Sequence, residues 1–90
     1  MARPRIERFD WRPSIEEKML AKHGLTSDEV EESFYHPDLK RSRTRGRLVL
    51  LSRTDAGRYI FVVYLLNDRV ATIITARDMT QIERRRFQRK

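Results

Sequence analysis

Arg77 and Glu83 stand six residues apart near the end of this 90-residue chain, offering a fixed positive charge and a proton-accepting carboxylate. A guanidinium is planar and permanently charged, so it grips a phosphate through two parallel hydrogen bonds. The same property suits a pentacoordinate phosphorane, on which negative charge grows when RNA is cut by attack of its own 2′-hydroxyl. Arg47, at the head of an apolar run, is a second clamp of this kind. The alternative for either arginine is an ion pair that only holds structure together, with Asp78 or Glu83 in the case of Arg77. In a helical pattern Glu83 and Arg86 fall on the arc of Met79, Ile82 and Phe87, which should face the protein. Those two charges either pair and position the helix or face a substrate. Arg84, Arg85 and Arg89 project the other way, toward solvent or phosphate.

His23 is the other group able to move a proton near neutral pH. It continues the every-fourth-residue stripe of Ile15 and Met19, so it is either a hydrogen-bonded core group or the border of a cleft. Lys22 beside it suits a helix C-terminus whatever its further role. His36 precedes Pro37 and punctuates a turn. Two histidines with no carboxylate at ligand spacing make no metal site, and neither metal nor cofactor is expected. There is no cysteine, which removes disulfides, thiolate ligands and thiol nucleophiles together and is compatible with a reducing compartment.

Charge is distributed unevenly. Residues 1–39 hold six Lys or Arg against nine Asp or Glu, and residues 40–90 hold fourteen against four, which together give the net +7. A concentrated positive surface attracts anionic polymers by steering and counterion release, so nucleic acid is the leading partner, with Lys40 and Arg43 among the candidate phosphate contacts. The N-terminus lacks the apolar run of a signal peptide, and the longest apolar stretch, residues 59–66, is too short to cross a bilayer. A cytoplasmic protein without membrane attachment is expected.

These residues need a scaffold, and ninety residues suffice for one domain with one core, spanning 1–90. Residues 6–11 read as a short strand stopped by Pro13. A helix follows over 13–23, with Pro13 in its first turn and Gly24 as its left-handed stop. Thr26 and Glu29 have capping-box spacing with Leu25 and Val30 as the staple, giving a second helix to about Tyr35. Residues 38–46 are basic and nearly devoid of apolar side chains, which predicts a mobile loop. Three strands follow at 47–53, 59–66 and 69–77, joined by 54–57 and by Asn67 and Asp68, as an antiparallel meander with the middle strand central. In simple alternation Arg77 shares a face with Thr75 and Ile73. Thr80 and Glu83 cap a last helix to about Arg89. The order β-α-α-β-β-β-α defines an α+β fold.

Phe9-Asp10-Trp11, Lys22-His23-Gly24, the helix over 26–37, Phe61-Val62-Val63-Tyr64, Ile74-Thr75-Ala76-Arg77 and Glu83-Arg84-Arg85-Arg86-Phe87 occur in register along the chain. Together they resemble the BrnT toxin family, across nearly the whole length. The resemblance implies a RelE-like fold and a metal-independent endoribonuclease that halts translation. It also implies a co-encoded antitoxin, usually a DNA-binding ribbon-helix-helix protein. The family pattern carries over to Lys22, His23, Arg47, Arg77 and Glu83. It departs at Met19, where an asparagine is usual, at His36, where an aspartate is usual, and at Phe87, often a tyrosine. Relatives also tend to carry an extra strand between Pro37 and Arg47. The expected function is RNA cleavage with Arg77 and Arg47 on the scissile phosphate and His23 or Glu83 moving protons. The alternatives are a non-catalytic nucleic-acid or ribosome-binding module and a degenerate toxin that serves as a protein-interaction partner.

Overall fold

The computed structural model describes residues 6–89; the expected domain's ends, residues 1–5 and 90, lie outside them, and so does most of the N-terminal stretch on which the expectation of no signal peptide rests. The element order is β1 (Arg8–Asp10), α1 (Pro13–His23), α2 (Ser27–Ser33), β2 (Lys40–Thr44), β3 (Arg47–Arg53), β4 (Tyr59–Asn67), β5 (Val70–Asp78) and α3 (Gln81–Gln88). The strands form one mixed sheet in the order β1-β5-β4-β3-β2, with β2 to β5 antiparallel to their neighbours and β1 parallel to β5. The α+β class therefore stands, with one strand more than the sequence suggested.

That strand is the principal correction. Residues 40–44, expected within a mobile loop, pair with residues 47–51 through a two-residue turn at Arg45 and Gly46. Both turn residues have positive φ, 52° and 77°, the geometry whose twist matches a hairpin. All five β2 side chains are exposed, so the cations stay hydrated while the ladder satisfies one backbone edge. Mutual repulsion is then too weak to keep the segment open. The next hairpin turns at Asp68 and Arg69, with φ 48° and 66°, one residue later than the expected Asn67 and Asp68. The first strand is shorter than 6–11, and the second helix ends two residues before Tyr35.

Local signals explain the helices. Pro13 occupies the first turn of α1 and Gly24, at φ 63°, ends it. Thr26 and Thr80 each accept from the backbone of Glu29 and Glu83, whose carboxylates bond back, so both capping boxes form. Leu25 and Val30 are completely buried. They join Met19, Phe34, Leu50, Ile60, Val62, Tyr64, Ala71 and Ile73 in the core, with Phe34 edge-on to both Phe9 and Tyr64. Each such aliphatic side chain contributes roughly 1.5–3 kcal/mol by leaving water. Ser52 Oγ donates to the Ser33 carbonyl at 2.6 Å and fixes the end of α2 to β3.

By alternation Ile60, Val62 and Tyr64 face α1 and α2, and Tyr59, Phe61 and Val63 face the opposite side, where Phe87 of α3 stands edge-on to Tyr59. β5 breaks the rule. Val63 pairs with Thr75 but Tyr64 pairs with Ile73, so Ile74 is an extra residue. Ala71 and Ile73 point to the core before this bulge, and Ala76 after it. Arg77 thus shares the α3 side with Thr75, and not with Ile73 as simple alternation predicts. No helix among the described residues is long and apolar enough to cross a membrane.

Candidate functional site

α3 covers only part of its side of the sheet, and the remainder is a groove of about 600 Å³ lined by Ser42, Thr44, Arg45, Arg47, Val49, Phe61, Val63 and Arg86. Its floor is aliphatic and aromatic because these are the residues that β3 and β4 turn away from the core. Its walls are cationic. Among the described residues Arg45, Arg47 and Arg86 have no carboxylate within ion-pair distance, which leaves their charge for an external anion. Arg43 is not brought into this groove, since it pairs with Leu48 on the other side of the sheet.

Arg77 stands at one end. Its guanidinium lies 3.9 Å from the centre of the Phe61 ring, on the groove floor. Nη1 and Nη2 donate to the two Glu83 carboxylate oxygens at 2.8 and 2.9 Å, and Nη1 also donates to the Asp78 carbonyl. The fork holds the Glu83 carboxyl below the usual carboxylate range, and the carboxylate in turn raises the guanidinium. Glu83 is locked further by donation from the Thr80 backbone at 2.9 Å, because it is also the capping residue of α3. A guanidinium has five N–H donors. Among the described residues three are occupied; Nε–H and the second Nη2–H, which share the side edge of the fork, are left for a ligand.

Beyond Arg77 lies a second recess of about 160 Å³, lined by Ile15, Lys18, Met19, Lys22, His23, Thr75, Ala76 and Arg77. Lys22 and His23 enter it because they close α1 against the uncovered upper half of β5, above the point where β1 ends. His23 Nδ1 is 3.8 Å from an Asp78 carboxylate oxygen. Asp78 is itself held by Arg58, through Nε at 2.9 Å and Nη2 at 3.3 Å, and its carboxyl is lowered chiefly by that hydrogen bond. Arg58 also donates to the carbonyls of His23 and Gly24, fastening the end of α1 to the start of β4. Arg47 and Arg86 thus border the groove, Lys22, His23 and Arg77 border the second recess, and Glu83 lines neither but is tied to Arg77, whose guanidinium stacks on the groove floor.

Several sequence expectations differ in detail. Arg86 makes no pair with Glu83, whose carboxylate belongs to Arg77. Ile82 is 64% exposed and is not part of the buried face of α3, which reduces to Phe87 with Met79 just before the helix. An eight-residue helix anchored by Glu83 at one end and Phe87 at the other tilts Ile82 outward. Arg84 does not project into solvent alone, since its guanidinium lies 4.2 Å over Tyr59, with Arg53 at 5.1 Å from the same ring. Lys40 Nζ donates to the carbonyls of Arg86 and Arg89, so it caps α3 across the sheet. Sequence reasoning missed Arg58 and Tyr59. The phenol of Tyr59 is lowered below its ordinary 10.0, first by the hydrogen bond from Gln88 and then by the two arginines. No local pattern in the sequence marks either residue. Among the described residues no group of three or more His, Asp or Glu side chains could hold a metal ion.

A family model described as the ribonuclease toxin BrnT of type II toxin-antitoxin systems matches residues 11–83, which include Lys22, His23, Arg47, Arg77 and Glu83. The fold is similar to the crystal structure of the Brucella abortus ribonuclease toxin BrnT, with a TM-score of 0.66 at 20% identity, covering 82% of this chain and 97% of that one. No curated protein matches the sequence significantly.

Proposed function

The chain belongs to the BrnT ribonuclease toxin family of type II toxin-antitoxin systems, and on that premise we propose that it is a metal-independent endoribonuclease that cuts RNA across the α3 side of its sheet. In this reading the groove takes a single RNA strand. Arg45, Arg47 and Arg86 bind phosphates, and Phe61, Val49 and Val63 offer an apolar floor to a ribose or base. The scissile phosphate meets the free side edge of Arg77. The 2′-oxygen attacks phosphorus, the P–O5′ bond breaks, and the two protons move through His23 and Glu83, one leaving the nucleophile and one reaching the departing oxygen. Arg77 stabilises the phosphorane, and Glu83, kept ionised by its partner, also holds the guanidinium in place. Halted translation follows from messenger loss, and the cognate antitoxin is a ribbon-helix-helix protein.

The observation that carries this reading is the position of Arg77, stacked on the groove floor, bordering the His23 recess, and keeping one bidentate edge unused. Purified protein incubated with a defined RNA should generate ends bearing 2′,3′-cyclic phosphate and 5′-hydroxyl, and Arg77→Ala should not. Binding without new ends in the wild type supports the second reading, a non-catalytic nucleic-acid module. The tie between Glu83 and Arg77 favours that alternative, because it gives the arginine a structural task of its own. Following RNA integrity and protein synthesis after induced expression in a bacterial host tests the translation step.

A further inference from the structure

The two sides of the β2–β3 hairpin differ in chemistry. On the α3 side lies the groove already described. On the α1 and α2 side, the helical layer covers Leu50, Val62 and Ile73 but stops short of the hairpin turn. Two adjoining recesses remain there, of about 330 and 340 Å³, and Arg43, Leu48 and Leu66 line both. Arg41 and Ser42 complete the first, and Gly46, Leu65 and Asn67 the second. Arg41 reaches toward Tyr64, where it opposes the upward shift that burial imposes on the phenol. Arg41 and Arg43 are exposed and have no carboxylate partner among the described residues. A sheet face with half-buried leucines is ordinarily covered by a further element, and cations on its rim select an acidic one.

We propose that this surface, with Leu48 and Leu66 as floor and Arg41 and Arg43 as rim, docks an acidic amphipathic helix of the cognate antitoxin. The identity of the partner rests on the chain being the toxin of a type II pair. Such a helix extends the layer of α1 and α2 across the hairpin, placing apolar residues on the leucines and carboxylates on both guanidiniums. RNA fits less well, because the floor is aliphatic with no exposed aromatic ring on which a base stacks. Docking on this side grips the strand that supplies Ser42 and Thr44 to the opposite groove, so bound antitoxin also holds one wall of the RNA path.

The test uses the full chain and the purified antitoxin encoded beside it, with the double variant Arg41→Glu, Arg43→Glu and a circular-dichroism check that it folds. Titration calorimetry should show antitoxin affinity falling at least a hundredfold, with RNA cleavage in the absence of antitoxin staying within about threefold of wild type. Unchanged antitoxin affinity overturns the proposal, as does failure of the wild type to bind that antitoxin. Lost cleavage with retained antitoxin binding also overturns it and assigns the face to RNA. A wild-type dimer that the same substitutions dissolve makes a second copy the occupant. A wild type that cleaves nothing refutes the nuclease reading but leaves the antitoxin measurement intact. If the variant fails to fold, Leu66→Glu, on a half-buried residue at the rim of the recess, repeats the comparison.

Discussion

Replacing Arg77 with alanine separates structure from chemistry at the point where both meet. Glu83 would lose two charge-assisted hydrogen bonds while its side chain is only 18% exposed. Breaking a fully buried pair costs about 3–5 kcal/mol. Here Arg77 is 34% exposed and Glu83 retains the Thr80 backbone donor, so solvent and the cap reduce that figure to about 1–2 kcal/mol. Loss of the guanidinium from the Phe61 face adds about 0.5–1 kcal/mol. A total near 2 kcal/mol lowers Tm by about 8–16 °C in a domain of this size. The cost depends on pH with a definite sign. The Glu83 carboxyl is lowered below its ordinary 4.5, so the pair stabilises fully above that value and loses its effect as pH falls through the folded-state value. The Tm gap between wild type and variant should therefore be constant near neutrality and close on acidification. Cleavage, measured well below the variant's Tm, should fall by about 10²–10³ if Arg77 stabilises the transition state. A folded variant that cleaves within tenfold of wild type refutes that role, and a Tm gap that does not narrow in acid refutes the ion-pair account of stability.

Lys40→Met should remove the lysine cap from the end of α3 and lower stability by about 1 kcal/mol, read as a Tm fall of about 4–8 °C with early hydrogen exchange at Phe87 and Gln88. Arg47→Ala should weaken single-stranded RNA binding and reduce the salt dependence of its affinity by about 0.7 in log-log slope, as expected for one lost phosphate contact. Gly46→Val should cost about 1–2 kcal/mol and fray β2. A Cβ there meets nothing within 4 Å, so the whole cost is the φ of 77° that a branched residue resists. Amide exchange across residues 40–44 reads it directly.

Much of the scaffold was legible because its signals are local. Pro13 and Gly24 bound α1, the two Thr-to-Glu spacings start α2 and α3, and the alternation through β4 marks the central strand. The missing strand was not legible, because four cations within residues 40–46 mask a turn whose signal is only Arg45 and Gly46. At the site, His23, Arg77 and Glu83 were named from residue type, strand end and helical arc; His23 and Arg77 line one recess, and Glu83 reaches it only through its pair with Arg77. Which partner Glu83 takes, Arg77 or Arg86, depends on where α3 crosses the sheet, and helical periodicity carries no such information. Arg58 was invisible for the same reason. Its partners, Asp78 and the carbonyls of His23 and Gly24, lie far from it along the chain and meet it only after the sheet has formed.

The extra residue in β5 decides which side of the protein carries the chemistry. Were Ile74 paired in regular alternation opposite Val63, Arg77 would stand opposite Ile60 with its charge driven into the oily interior, and Ala76 would take its place over the groove. One aliphatic residue left out of the ladder, three positions from the arginine, is thus what keeps the clamp from turning inside out.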